Sequence, residues 1–327
     1  MCKTAKLTDK AHILAYLETD RLYAAYAIGD LEPGMFEQTM WAGAEAGGHL
    51  QALALCFRGL SLPVLFLMGD ADGLRVILEN VLRPERTYIN CRPQHLAITQ
   101  DFCVWDEITP MWRMMLEPAR FRPVQSDCLP LEPAHANLLT ELYAFGGGGA
   151  FSPAQVQKGV FYGVLLDGRL VAAAGTHLVS PTYGVAAVGN VFTRPDYRGR
   201  GYGTAVTSAV TAELLRTGFR DVVLNVSQDN ATAVHVYERL GFHRYCDFLE
   251  GPAVTKERTR TYPHSRPLAW FSGGSPKTTW TPCITFSVPR MCCAISQTPG
   301  PPPASGCKDN LQATPALGGA RIWLVGA

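Results

Sequence analysis

The sequence predicts an α/β fold, and three observations lead there. Short β-rich runs alternate with stretches of helical period through roughly the first three quarters of the chain. Asp167-Gly168 joins two of the β-rich runs as a two-residue turn, a hairpin signal. Apolar residues make up 47% of the 327 residues and charged residues 17%, enough for a packed core. The length suits two ordinary domains, or one large domain with a tail.

Residues 1–118 read as an N-terminal α/β lobe. Helical patterns cover 11–27 and 71–81, and β-like runs cover 50–57, 62–68 and 111–116. Residues 119–252 give a cleaner series. A helical pattern over 131–143 is followed by four glycines at 146–149. Strands at 160–166 and 170–177 form the hairpin, and 183–192 is a further strand. A helical stretch over 204–217 is stopped by Gly218, a short buried strand spans 222–226, and a last helix over 231–240 is closed by Gly241. From about Pro263 the texture changes: ten of the 23 prolines and only one acidic residue fall there. Proline fixes φ and removes donors, so residues 253–327 are expected to form a low-order, Pro-rich tail; a non-native reading-frame product would look the same.

Several classes are disfavoured. The net charge is +1, with no basic face to hold nucleic acid. The apolar runs are too short to span a bilayer, and the first twenty residues lack the apolar core of a secretory signal, so a cytoplasmic location is expected. The ten cysteines contain no C-x-x-C pair and no zinc spacing, which fits free thiols and predicts no metal.

The chemistry concentrates in Val188–Gly203, which reads Val-Gly-Asn-Val-Phe-Thr-Arg-Pro-Asp-Tyr-Arg-Gly-Arg-Gly-Tyr-Gly. A buried strand ends before Pro195, which cannot donate to a ladder. Alternate glycines at 199, 201 and 203 then permit unusual torsions and close approaches. A helix follows at once, and its first N–H groups lack intrahelical partners. Together these make a phosphate cradle, with Arg198 and Arg200 placed to help. A dinucleotide-binding turn is the nearest rival, but there the glycines follow the strand directly and an acid ends the next strand. Here a Pro-Asp-Tyr-Arg spacer intervenes, and the next strand ends Asn225-Val226-Ser227.

The full run resembles the GCN5-related N-acetyltransferase (GNAT) family, whose loop reads Arg/Gln-x-x-Gly-x-Gly/Ala. Arg198, Gly201 and Gly203 fill that pattern, and Val191-Phe192-Thr193-Arg194-Pro195 matches the passage before it. Downstream, Asn225-Val226, Asn230-Ala231, Ala233, Tyr237 and Gly241-Phe242 match the family's second half. The resemblance covers roughly residues 119–250, and the first lobe is similar only loosely to the diverged first halves of double-lobed members. It implies a mixed, mainly antiparallel central sheet flanked by helices, with acetyl-CoA or another short acyl-CoA as co-substrate.

By the same resemblance, the backbone of Val191, Phe192 and Thr193 would bond the pantetheine arm. The N–H groups of Gly199, Arg200, Gly201, Tyr202, Gly203 and Thr204 would hold the pyrophosphate, assisted by Arg198. Asn230 would contact the arm, and Tyr237 would protonate the leaving thiolate as general acid. The implied activity is direct N-acyl transfer to a primary amine, on a small molecule or an amino acid. A non-catalytic acyl-CoA-binding or sensing protein and a protein lysine or N-terminal acetyltransferase stay open.

An amine of pKa about 10.4 is almost wholly protonated at neutral pH, so a base is needed. Many members place a Glu on the strand before the loop, and this sequence has none there. His177 and Asn190 are the candidates in its place: His177 as the base, Asn190 to position water or the acceptor. The base is left unassigned.

Overall fold

A computed structural model of the protein describes residues 3–147 and 151–257. Gly148 and Gly149 of the glycine run, and the expected tail from residue 258, lie outside the described residues.

The first part of the chain runs β1 (Lys3–Leu7), α1 (Lys10–Leu17), α2 (Ala25–Gly29), β2 (Thr39–Ala46), β3 (His49–Phe57) and β4 (Val64–Gly69). It continues through α3 (Ala71–Asn80), β5 (Arg86–Cys91), α4 (Leu96–Phe102), β6 (Cys103–Trp105) and β7 (Thr109–Leu116). After it come β8 (Leu129–Pro130), α5 (Ala136–Tyr143), α6 (Pro153–Lys158), β9 (Tyr162–Leu166), β10 (Arg169–Ser180) and β11 (Val185–Thr193). The series closes with α7 (Tyr202–Arg216), β12 (Asp221–Ser227), α8 (Ala231–Leu240) and β13 (His243–Thr255).

These strands form one sheet in the order β1-β2-β3-β4-β5-β13-β7-β12-β11-β10-β9-β8, with β6 against the far end of β13. Pairing is antiparallel except for β4 with β5 and β11 with β12. Both parallel pairs are crossovers through a helix, α3 and α7, as a parallel connection requires. The mixed, mainly antiparallel sheet flanked by helices is therefore the observed architecture.

The sheet does not break at residue 118. β7, from the first part of the chain, lies between β12 and β13. β13, the last strand described, lies between β7 and β5 and also borders β6. On one face α1 and α2 pack Ile13, Leu17 and Ile28 against Leu53 and Phe66, and also against Val185, Ala187 and Val223. The same small core thus holds strands from both ends of the sequence. Further along that face, α5 and α6 cover Phe161, Leu170 and Phe192. The opposite face carries α3 and α4 over β2–β5, and α7 and α8 over β10–β12.

Most predicted elements stand within a few residues of their expected limits, and the departures have local causes. The helix expected over 11–27 stops at Leu17, where the Thr19 hydroxyl donates to the Tyr16 carbonyl at 2.7 Å and competes with the helix ladder. It resumes only at Ala25. The helix expected over 131–143 begins at Ala136, after a tight turn over Pro133–His135. β2 escapes sequence reading because Thr-Met-Trp-Ala-Gly-Ala-Glu-Ala shows no clear alternation. β13 escapes because Arg244, Asp247, Glu250 and Pro252 give it the texture of a loop.

Gly241 ends α8 at φ +101°, and a Cβ there would lie 2.1 Å from the Arg120 carbonyl oxygen. Gly241→Ala is expected to destabilise the protein by more than the about 1–2 kcal/mol that left-handed backbone alone costs a side chain. Urea unfolding should show a lower midpoint with an unchanged slope.

Candidate active site

β11 and β12 run parallel from Val185 against Asp221 to Val188 against Leu224, and there the pairing stops. β12 continues to Ser227 beside β7, and β11 continues to Thr193 beside β10. The two strands therefore part, leaving backbone groups of 189–193 that face β12 without a ladder partner on that side. The parting coincides with a bulge. Gly189 pairs with Gly175 while Phe192 pairs with Ala173, so β11 carries one extra residue, and Asn190 adopts φ +51°.

Three side chains pin that bulge. The Tyr143 hydroxyl donates to the Asn190 carbonyl at 2.5 Å. The Asn190 N–H donates to His177 Nε2 at 3.2 Å, and His177 Nδ1 lies 3.2 Å from the Tyr26 hydroxyl. Because Nε2 must accept, the neutral ring carries its proton on Nδ1 and donates it to Tyr26. Burial pushes His177 down to about 4. The imidazole lies over Gly189, where a Cβ would come within 2.4 Å of the ring. His177 is thus committed to holding the strand, and its lone pair is already used.

Beyond Thr193 the chain makes the turn Pro195–Tyr197 and enters the glycine loop. Gly199 at φ +76° and Gly201 at φ +82° occupy left-handed backbone, which glycine adopts without strain. Gly201 is the N-cap of α7, no side chain caps that end, and the first turn has no acid. The first intrahelical bond runs from the Ala205 N–H to the Gly201 carbonyl at 3.0 Å. The N–H groups of Tyr202, Gly203 and Thr204 therefore point out of the helix end unpartnered by the helix, and the helix dipole adds to their attraction for an anion. Gly203 stands beside the strand end, where a Cβ would sit at ordinary contact distance, 3.4 Å, from Thr193 Oγ1.

These parts enclose a cleft of about 500 Å³. Of the residues the sequence singled out, Val191, Thr193, Arg198, Gly199, Gly201, Tyr202, Gly203, Thr204, Asn230 and Tyr237 line it. Phe192 does not. It is 3% exposed and points into the core beneath α5, so only its backbone is placed to serve. Arg200 also turns away, donating to the Asp196 carbonyl at 3.3 Å and lying over the Tyr197 ring. Asn190 and His177 lie at the bulge and outside the lining.

Arg198 folds back so that Nε donates to the Thr193 carbonyl at 3.2 Å. Asn230 caps α8, its Oδ1 accepting the Ala233 N–H at 3.0 Å. Tyr237 is buried, and burial together with the nearby Tyr26 phenol raises its pKa, so the hydroxyl stays protonated. Thr232, Val236 and Arg239 also line the cleft. Their i, i+4, i+7 spacing puts these three on one side of α8, the signal that would have grouped them. No Asp or Glu lines the cleft. The cradle of free N–H groups, the arginines and the missing carboxylates fit a diphosphate carried on a long arm.

The other crossover shows the contrast. At the start of α3 the Asp70 carboxylate accepts the Gly73 N–H at 2.9 Å, so that helix end is filled by its own chain.

Residues 125–242 match the profile of the Acetyltransferase (GNAT) family. The mycothiol acetyltransferase of Geodermatophilus obscurus is 46% identical over 81 residues, covering 24% of this chain and 26% of that protein. That of Actinosynnema mirum is 53% identical over 51 residues, covering 16% and 17%. The chain spans about a quarter or less of the length of these curated relatives. A solved GCN5-related N-acetyltransferase from Sphaerobacter thermophilus superimposes with TM-score 0.55 at 16% identity, over 77% of this chain and 95% of the other. One from Kribbella flavida gives 0.51 at 15%, over 75% and 96%. At such identities the likeness concerns the fold alone. No described helix is long and apolar enough to cross a membrane.

His177 yields a pH test. Its folded pKa is lowered to about 4 from 6.5, so its contribution to stability is complete above 6.5 and is lost as pH falls through 4. Thermal melts between pH 7 and 4 should fall less steeply for His177→Gln than for the natural protein.

Proposed function

Since residues 125–242 belong to the GNAT acetyltransferase family, we propose that the protein is an N-acyltransferase that moves an acetyl or other short acyl group from acyl-CoA to a primary amine. One observation carries this reading: the unpaired helix start and glycine loop open into the same cleft as the parted strands and Tyr237. A phosphate cradle alone would suit many nucleotides. A cradle continuous with a slot between two strands suits a diphosphate bearing an extended arm.

The acyl-CoA supplies an activated thioester whose carbonyl carbon is open to attack by an amine. Every other part of the work falls to side chains and backbone. The N–H groups of Gly199–Thr204 and Arg198 bind the diphosphate. Backbone groups of Val191–Thr193, unpaired toward β12, bond the arm. The N–H groups near the bulge are the donors placed to stabilise developing negative charge on oxygen. Tyr237, held protonated by burial, gives its proton to the departing sulfur. The relatives named for mycothiol favour a small amino-bearing acceptor over a protein.

A second reading, an acyl-CoA-binding sensor without turnover, is favoured by the cleft's lack of any carboxylate base. Release of free CoA in the presence of a panel of small amines separates the two. Tight acetyl-CoA binding with no release on any of them would sink the enzyme reading.

Gly201→Asp places a carboxylate against the cradle. It should weaken CoA binding at least about 100-fold in calorimetry, while the circular dichroism spectrum is retained. Tyr237→Phe should lower kcat by about 100-fold and leave the CoA dissociation constant within about twofold. Parallel loss of both would mark Tyr237 as a packing residue.

A further inference from the structure

The bulge in β11 is held from the first part of the chain. α2 packs on β10 and β11, and its Tyr26 hydroxyl lies 3.2 Å from His177 Nδ1. His177 Nε2 accepts the Asn190 N–H at 3.2 Å. The imidazole is therefore a strut, donating to the phenol at one end and accepting from backbone at the other. Among the described residues, Tyr26 is the one acceptor for its Nδ1–H.

Tyr26 is itself fixed in place. The Arg113 guanidinium lies 4.8 Å from its ring centre and 5.4 Å from that of Phe248. Arg113 also donates to the Leu22 carbonyl at 3.2 Å, one turn before Tyr26. It is 1% exposed and belongs to β7, the neighbour of β12. At the other end of α2, a Cβ on Gly29 would come within 2.3 Å of Leu178 Cδ1, so the helix lies tight against the residue after His177. Burial, and then the Tyr26 phenol, keep the Tyr237 hydroxyl protonated, so Tyr26 also lies near the acid across the gap between the strands.

What the strut holds is a peptide that bears on the chemistry. Asn190 at φ +51° relaxes unless its surroundings prevent it. Its N–H is held by His177, and its carbonyl accepts from the Tyr143 hydroxyl at 2.5 Å. Both backbone groups of Asn190 are thereby spent. The Val191 N–H shares a peptide plane with the Asn190 carbonyl and points the opposite way, away from Tyr143. Val191 lines the cleft and has no register partner in β10 or β12.

We propose that Tyr26 is a positioning residue of the transfer: by fixing the His177 ring it fixes Asn190, and so aims the Val191 N–H at the oxygen of the thioester carbonyl. The inference rests on the N-acyltransferase reading. In the step it serves, the amine lone pair forms the bond to the carbonyl carbon, and the π pair moves onto oxygen. The nitrogen loses a proton to solvent, the pair on oxygen returns, and the C–S bond breaks with its electrons on sulfur, which takes the Tyr237 proton. Tyr26 touches none of these atoms. Without its hydroxyl the Nδ1–H loses its acceptor, the ring can turn, and Asn190 can relax.

The test is Tyr26→Phe in the full chain, with acetyl-CoA and glucosamine, ethanolamine and lysine as acceptors. kcat should fall at least about tenfold, while the CoA dissociation constant and the amine KM stay within about twofold. An unchanged kcat, or CoA binding weakened in step with it, would overturn the proposal. His177→Leu tests the route. Added to it, Tyr26→Phe should slow kcat by less than about twofold more, because the hydroxyl has nothing left to act through. A further loss of about tenfold overturns the route through His177, and if His177→Leu does not fold, Tyr26→Phe alone decides. Should the natural protein transfer nothing to any amine, the transferase reading fails, and exchange of the Asn190 amide hydrogen is measured instead. Exchange at least about tenfold faster in Tyr26→Phe, with the α7 amides unchanged, keeps Tyr26 as the anchor of the bulge. An equal rate overturns that as well.

Discussion

The site depends on one event in the backbone: two parallel strands that stop pairing. From Val188 and Leu224 onward, β11 and β12 each keep a partner on their far side and lose the one between them. Such a gap would ordinarily close or fill with water, because unpaired backbone groups are costly when buried. Here the extra residue at Asn190 holds it open, and the hydroxyl of Tyr143 and the ring of His177 hold the bulge. A residue other than glycine at φ +51° is strained, and it persists where its surroundings over-determine it. The slot, the cradle and Tyr237 are all placed relative to that fixed point.

Both parts of the chain repeat an antiparallel run, a helical crossover to a parallel strand, and a further helix. They differ at the crossover. Before α3 a single aspartate turns into the helix end and accepts one of its N–H groups. Before α7 an eight-residue passage with two left-handed glycines leaves those groups open. The chemistry of one helix end, rather than the topology, decides which crossover can hold an anion. The exchange of β7 and β13 between the two parts then joins them in one continuous sheet.

Charge divides across the sheet. The cleft beside α7 and α8 offers N–H groups, Arg198 and Arg239, and is lined by no carboxylate. The side carrying α2 offers, at the bulge, the Asn190 Oδ1, unpartnered among the described residues, and a neutral imidazole.

Local signals made much of this legible in the sequence. The Asp167-Gly168 hairpin, Pro195 ending a strand, glycines at alternate positions before a helix, and Asn230 capping α8 each depend on a few neighbouring residues. The torsions that glycine, proline and capping side chains allow are fixed by covalent structure, so those elements and the open helix start after the glycine loop could be read directly. What remained hidden depends on residues far apart. β13 has the composition of a loop and becomes a strand only because β5 and β7 supply partners on both sides. His177 reads as a possible base until Asn190 and Tyr26 are seen to occupy both its nitrogens. Sequence sets what a short stretch of backbone can do, whereas desolvation and pairing are properties of the assembled sheet.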